Sequence, residues 1–228
     1  MIGRITVAID GPAGAGKSTV ARRLARTLGL AYLDTGAMYR AVTWKAIREE
    51  IDPGDGRALA ALVDGCGLEL QADAVTGDTV VWLDGENVSV FLRRPEVNRL
   101  VSRVAAVPAV RERMVGRQRQ LAAGGGVVAE GRDVGTEILP GAEVKFFLTA
   151  SVGERAARRW DELRQQGFAV SRESIEGEIR ERDRQDSQRE VGPLKMAPGA
   201  ILVDTTGKTA DEVVAILVEH CAADGGRR

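Results

Sequence analysis

The chain is poor in cysteine, histidine, asparagine and long apolar runs, and each shortage removes a class of protein. Its two cysteines, Cys66 and Cys221, stand in no CxxC spacing, which excludes a zinc ribbon and a disulfide scaffold. That usage fits a reduced intracellular compartment. The single histidine, His220, excludes multi-histidine metal sites and histidine-triad hydrolases. The two asparagines, Asn87 and Asn98, form no NKxD base-reading motif, as a regulatory GTPase would require. No stretch approaches the ~18 apolar residues of a membrane span, and the opening MIGRITVAID has too short an apolar run for a signal peptide. The expectation is a soluble, cytoplasmic protein. Charge of one sign is also missing: Lys+Arg 32 against Asp+Glu 33 gives a net charge of -1, so the chain as a whole is no polyanion binder, though a local basic site stays open.

What is present is an ordinary globular composition, 44% hydrophobic and 29% charged over 228 residues. That suits one domain, or one domain with an insertion. Of the 32 cations 27 are arginine, the residue of planar, bidentate phosphate and carboxylate recognition. GC-rich coding would produce the same excess.

The pattern alternates. RITVAID ends a buried strand at Asp10, a glycine-rich turn follows, and KSTVARRLARTL (17–28) puts Val20, Leu24 and Leu28 on one helical face with Gly29 as cap. AYLD (31–34) is a strand and 35–50 a helix, which Pro53, Gly54 and Gly56 end before another helix over 57–65. Brief β-like runs at 68–72, 79–84 and 87–90, divided by Thr76-Gly77-Asp78 and Gly85-Glu86, predict a small antiparallel insert. Helices are expected at 95–105 and 109–122, strands at 127–131, 144–150 and 200–206, helices at about 152–166 and 173–190, and a last helix over 210–221 with a frayed tail. Five core strands alternating with helices predict an α/β fold with a parallel sheet covered on both faces.

Gly11 to Ser18 read GPAGAGKS, a full GxxxxGK[ST] match between a buried strand and an amphipathic helix. Its glycines let successive backbone N–H groups turn toward one anion, and the helix start adds partial positive charge. Lys17 supplies a point charge for the β- and γ-phosphates and Ser18 a hydroxyl for Mg²⁺. Asp204-Thr-Thr-Gly207 imitates a switch motif but stands in the last strand, where a switch would be misplaced. A small kinase suits the length better than a mechanical ATPase, and such an enzyme needs a second anion site. Arg40, Arg111, Arg132, the Arg155/Arg158/Arg159 helix and the i, i+4, i+7 set Arg182, Asp186 and Arg189 are the candidates. Most single arginines are solvated surface charges. Arg132 differs: Gly131-Arg132-Asp133 lies at the C-terminal end of a predicted core strand, where ligands of open α/β sheets collect.

VAIDGPAGAGKST, LDTGAMYR, EGRDVGT, KFFLTAS with ERAARR, RDRQDSQR with PLK, and VDTT follow one another in an order that closely resembles bacterial cytidylate kinases across nearly the whole chain. The paired GPAGAGKST and DTGAMYR and the RDxxDSxR segment are specific to that family; a phosphate loop alone is not. The resemblance implies a P-loop kinase with a five-stranded parallel sheet flanked by helices, a β-containing monophosphate-binding insert and a short lid. It implies a single domain over 1–228, with 1–34 and 106–228 as core, 152–190 as lid region, and 35–105 as monophosphate-binding region with its insert at about 64–104. It implies transfer of the γ-phosphate of ATP to CMP or dCMP with Mg²⁺, by a chain acting as a monomer without nucleic acid or membrane partners. Gly11, Pro12, Ala13, Gly14, Ala15, Gly16, Lys17, Ser18 and Thr19 would hold ATP. Arg40, Arg132 and Arg189 would hold the CMP phosphate, Ser102, Arg111 and Asp133 would read cytosine with Thr35 close by, and Asp186 and Arg182 would reach the sugar. Arg155 and Arg159 would belong to the mobile lid, and Lys17, Arg132, Arg155, Arg159 and Arg182 would carry the transfer. Thr35 stands where some members have serine. Pro140 and Pro198 open turns where an acidic residue is frequent in the family. The other function class left open is a P-loop switch or assembly protein, which a panel of phosphate acceptors would separate from a kinase.

Overall fold

Four-residue strands of nothing but buried side chains can exist only where both sheet faces are covered, and β1 (Val7–Asp10) is one. The computed structural model, which describes residues 5–73, 79–165 and 167–225, places β1 at the centre of a five-stranded sheet. After β1 come α1 (Lys17–Leu28), β2 (Ala31–Asp34), α2 (Thr35–Arg48), α3 (Gly56–Gly65), β3 (Leu68–Ala72), β4 (Thr79–Leu83) and β5 (Glu86–Asn87). The chain continues through α4 (Pro95–Ala106), α5 (Pro108–Ala122), β6 (Val127–Gly131), β7 (Val144–Thr149), α6 (Val152–Gln165), α7 (Arg172–Ser187), β8 (Ile201–Asp204) and α8 (Ala210–Gly225). The sheet order is β2-β6-β1-β7-β8, with every pairing parallel.

Two apolar layers cover the sheet. On one side α1 and α8 bring Val20, Leu24, Val213 and Leu217 against Val7, Ile9, Phe146 and Leu148. On the other, α2, α3, α4 and α5 pack Met38, Val42, Leu59, Val104 and Met114 against Ala8, Leu33 and Ala129. The insert is a separate antiparallel sheet, β3-β4-β5, whose Val81 and Leu83 sit on Ala37 and Ala41 of α2. Trp44 and Phe91 stack beside it with centroids 4.7 Å apart.

The expected parallel sheet and antiparallel insert are both present. Several boundaries differ. The third β-run of the insert shortens to Glu86–Asn87 because Ser89–Phe91 turns into a 3₁₀ segment, with Ser89 Oγ accepting from Val81 N–H. The expected 35–50 helix stops at Arg48, where Glu50 takes φ 53°. The 173–190 helix stops at Ser187, leaving Arg189 beyond its end, and α8 runs through Gly225 rather than fraying at 222. A π-helical turn over Val134–Ile138 follows β6, a feature no sequence pattern announced. The expected Thr76-Gly77-Asp78 turn and the terminal residues 226–228 lie outside the described residues.

Candidate active site

Parallel register aligns Asp10 of β1 with Gly131 of β6, and Asp34 of β2 with Glu130, so three strands end on one edge of the sheet. Above that edge opens a cavity of about 1120 Å³. Its walls come from the α1 loop, α2, α4, β6, α6 and α7. This is the edge where an open α/β sheet places its ligand.

The glycine loop forms one wall. Gly14 and Gly16 take φ 77° and 86°, in the left-handed region. Gly11 is required for another reason: a Cβ there would lie 2.0 Å from the Leu148 carbonyl oxygen. The loop delivers Lys17 to the first residue of α1, whose first turn holds no acidic side chain, so the helix's positive end faces the cavity. Lys17 is buried and its Nζ donates to the Pro12 carbonyl at 2.8 Å. Burial, with Arg132 nearby, pushes its pKa well below the usual lysine range, while Glu130 and Asp10 pull the other way. Ser18 meets the Glu130 carboxylate, which burial and the Asp34 charge push up. A hydroxyl beside a carboxylate is a hard-oxygen pair of the sort Mg²⁺ takes.

The second anion site is built from arginines on α2, β6 and α7. Arg40, Arg132, Arg182 and Arg189 all line the cavity, and the Nε atoms of Arg40, Arg182 and Arg189 are buried without a hydrogen-bond partner. Burial lowers the pKa of Arg40 and, with Arg132 beside it, brings Arg182 down to about 9. Unspent buried donors of one sign amount to a preformed demand for an anion. One carboxylate balances part of this charge. Asp186, wholly buried, accepts from Arg132 Nε at 2.7 Å, from Ser102 Oγ at 2.8 Å and from Arg189. Burial opposes its ionisation, but Arg132, Arg189 and Arg182 outweigh burial and hold its pKa below the usual carboxylate range. Arg189 therefore reaches the cluster although the helix ends before it.

Arg132 and Asp133 do not pair with each other. Asp133 binds Arg111, and both side chains are almost fully buried. Arg111 also donates to the Ala105 carbonyl at 3.2 Å and lies over the Tyr39 ring, 5.8 Å from its centroid. Asp10 closes the arrangement from below. Its two carboxylate oxygens accept from the N–H groups of Val134 and Gly135, each at 2.8 Å, so the strand that feeds the glycine loop also fixes the turn after Arg132 and Asp133.

Lys17, Ser18, Thr19, Thr35, Arg40, Ser102, Arg111, Arg132, Asp133, Arg159, Arg182, Asp186 and Arg189 all line this one cavity. Thr35 also donates its hydroxyl to the Glu130 carbonyl at 2.7 Å, tying α2 to β6. Ala13, Gly14 and Gly16 line the cavity too, whereas Gly11, Pro12, Ala15 and Arg155 do not. Arg155 is buried behind the loop, donating to the carbonyls of Ala150 and Ala13 and pairing with Asp183 at 2.7 Å, so the expected lid arginine is an anchor of the glycine loop here. Arg158, one turn on, lines the cavity instead and donates to Thr205. Sequence reasoning also passed over Glu130, Tyr32, Arg93 and Glu162 in the cavity wall. Glu130 carried a readable signal, a carboxylate at the end of an otherwise apolar strand.

Fold and site together define a P-loop kinase. The chain belongs to the cytidylate kinase family, whose model matches residues 7–223. It is 52% identical over 222 residues to the cytidylate kinase of Pelotomaculum thermopropionicum, covering 97% of each chain. It is 53% identical over 211 residues to a bifunctional pantoate ligase/cytidylate kinase of a Synechococcus strain, covering 92% of this chain but 39% of that one. The chain thus spans about two-fifths of the length of such bifunctional relatives. Among solved structures, an uncharacterized protein from Eubacterium ventriosum shares the fold at TM-score 0.53 and 12% identity, covering 96% of this chain and 99% of that one.

Proposed function

We propose that the chain transfers the γ-phosphate of ATP to CMP or dCMP, in the cytoplasm and as a monomer whose site is complete within one chain. The observation that carries this reading is the second anion site: Arg132 and Arg189 pair with Asp186, and Arg182 and Arg40 line the same cavity as Lys17 beside them. A nucleotide switch has no need of a second buried anion site.

In this reading Gly11 to Thr19 wrap the ATP phosphates with backbone N–H groups, and Lys17 neutralises charge on the transferred group. Ser18, with Glu130 behind it, would hold Mg²⁺, which would supply charge neutralisation for the phosphate chain. Arg40, Arg132 and Arg189 hold the acceptor phosphate, so that transfer needs little beyond alignment and charge placement. Asp133, fixed by Arg111, accepts from the cytosine amino group, whereas the carbonyl of uracil would face a carboxylate. Ser102 and Thr35 complete the base side, and Asp186 and Arg182 reach the sugar. Residues 35–105 form the acceptor-binding region with its β insert, 152–190 the lid region, and 1–34 with 106–228 the core. Arg159 and Arg182 face the transferred group from the lid side, while Arg155 acts through the loop it anchors.

ADP release from ATP with CMP, dCMP, AMP, GMP, UMP or shikimate tests the proposal. CMP and dCMP are expected to lead the panel. Turnover led by any other acceptor would overturn the reading.

A further inference from the structure

Glu162, on α6, is bonded to two arginines that belong to opposite walls of the cavity. Its Oε1 accepts from Arg93 Nη1 at 2.9 Å, and its Oε2 accepts from Arg159 Nη1 at 2.7 Å. Arg159 also donates to the Arg93 carbonyl at 3.3 Å. Arg93 lies just before α4, on the insert side, and Arg159 lies on α6, so the three residues join these two parts of the cavity wall.

Arg93 has no part in the base, sugar or loop contacts described above, yet its charge reaches the same chamber. Arg40 is repelled by Arg93, and Arg93 is attracted by Asp34 and Glu130, the two carboxylates in register at the ends of β2 and β6. Its side chain is half exposed and Glu162 is about one-third exposed, so neither is locked by packing. A carboxylate that holds two cavity arginines occupies the donors a polyphosphate would use.

We propose that Arg93 is a further phosphate-contacting residue of this kinase, meeting the phosphate chain from the side opposite the glycine loop, and that Glu162 is the resting counter-anion that the phosphate chain displaces from Arg93 and Arg159. The inference rests on the kinase reading for its substrate, but it concerns polyphosphate and not the base. It gives α6 a definite exchange: two arginine–carboxylate pairs open, two arginine–phosphate contacts form, and the freed Glu162 turns toward solvent.

The test compares variants whose signs differ. A dinucleoside pentaphosphate joining cytidine to adenosine is titrated calorimetrically into wild type, Arg93→Ala, Arg93→Lys and Glu162→Gln. Arg93→Ala is expected to weaken binding about tenfold or more, and Arg93→Lys to fall between it and wild type, since lysine keeps the charge but loses the planar fork. Glu162→Gln is expected to tighten binding about threefold or more, because the competing anion is gone. If Arg93 and Glu162 formed only a structural strap, both replacements would weaken binding alike, and that result overturns the proposal, as does wild-type affinity in Arg93→Ala. Inorganic tripolyphosphate serves as a second titrant. It carries no base, so the opposite signs are read with it even if wild type fails to phosphorylate CMP, and the two failures stay distinct.

Discussion

Asp133 and Arg111 form a buried ion pair, 22 residues apart in sequence, with neither side chain more than 4% exposed. Asp133 is the next residue after Arg132, yet the two side chains serve different partners, Arg132 going to Asp186. In the proposed function this divides base reading from phosphate holding on one short turn, which Asp10 holds in place through Val134 and Gly135.

Replacing Asp133 by asparagine keeps the shape but removes the charge. CMP turnover is expected to lose about 2 kcal/mol or more in kcat/KM, while UMP loses much less because a repulsion is also removed. The ratio of kcat/KM for CMP over UMP should therefore fall at least tenfold. An unchanged ratio would reject base reading by Asp133. Asparagine, like alanine, leaves buried Arg111 without its counter-charge at a cost of about 3–5 kcal/mol of stability, so the ratio is read on protein that circular dichroism shows to be folded.

Lys17→Ala should leave the fold intact and remove most phosphoryl transfer, a loss of roughly 3 kcal/mol or more in transition-state stabilisation. Circular dichroism checks the fold and ADP release the rate; wild-type turnover in the folded variant would sink the phosphate-loop assignment. Lys17 also titrates lower than an ordinary lysine because it is buried among arginines. Bound triphosphate restores favour to the charged form, so ATP binding at about pH 8 should take up protons in wild type and lose that uptake in Lys17→Ala. Calorimetry in buffers of different ionisation enthalpy reads the difference.

Asp186 has a folded pKa below its ordinary value of 3.8, so its contribution to stability is complete above that value and is lost as pH falls below it. Asp186→Asn strands Arg132 and Arg189 and should cost about 3–5 kcal/mol at neutral pH. The melting-temperature gap between wild type and variant should shrink steadily below about pH 4. A gap independent of pH would mean that the variant's cost is steric and unrelated to charge.

The helices α6 and α7 meet through Ala156, Leu163, Ile175 and Ile179, a small apolar cluster of their own. Gly167, at φ 84°, lies in the connection between them. Such a unit can move as a body. Amide exchange over residues 152–187 should slow when ATP and CMP analogues bind together, as closure excludes water from the transferred group. Unchanged exchange would argue for a rigid site.

Much of this was legible in the chain itself. The alternation of apolar strands with amphipathic helices is local chemistry, and so is the glycine spacing of 11–16, because φ and the absence of Cβ are decided residue by residue. Lys17 at a helix start after a buried strand needed no tertiary contact to be recognised. The arginines could be nominated by position but not paired. That Arg132 meets Asp186, more than 50 positions away, depends on β6 entering the sheet between β2 and β1 and on α7 packing beside its end. For the same reason the contacts of Arg155 with the glycine loop were not legible: its partners, Ala13 and Asp183, are distant in sequence and are set beside it only by packing. Side-chain type is written in the sequence. Burial, which fixes the worth of a charge and its partner, is a property of the assembled tertiary structure.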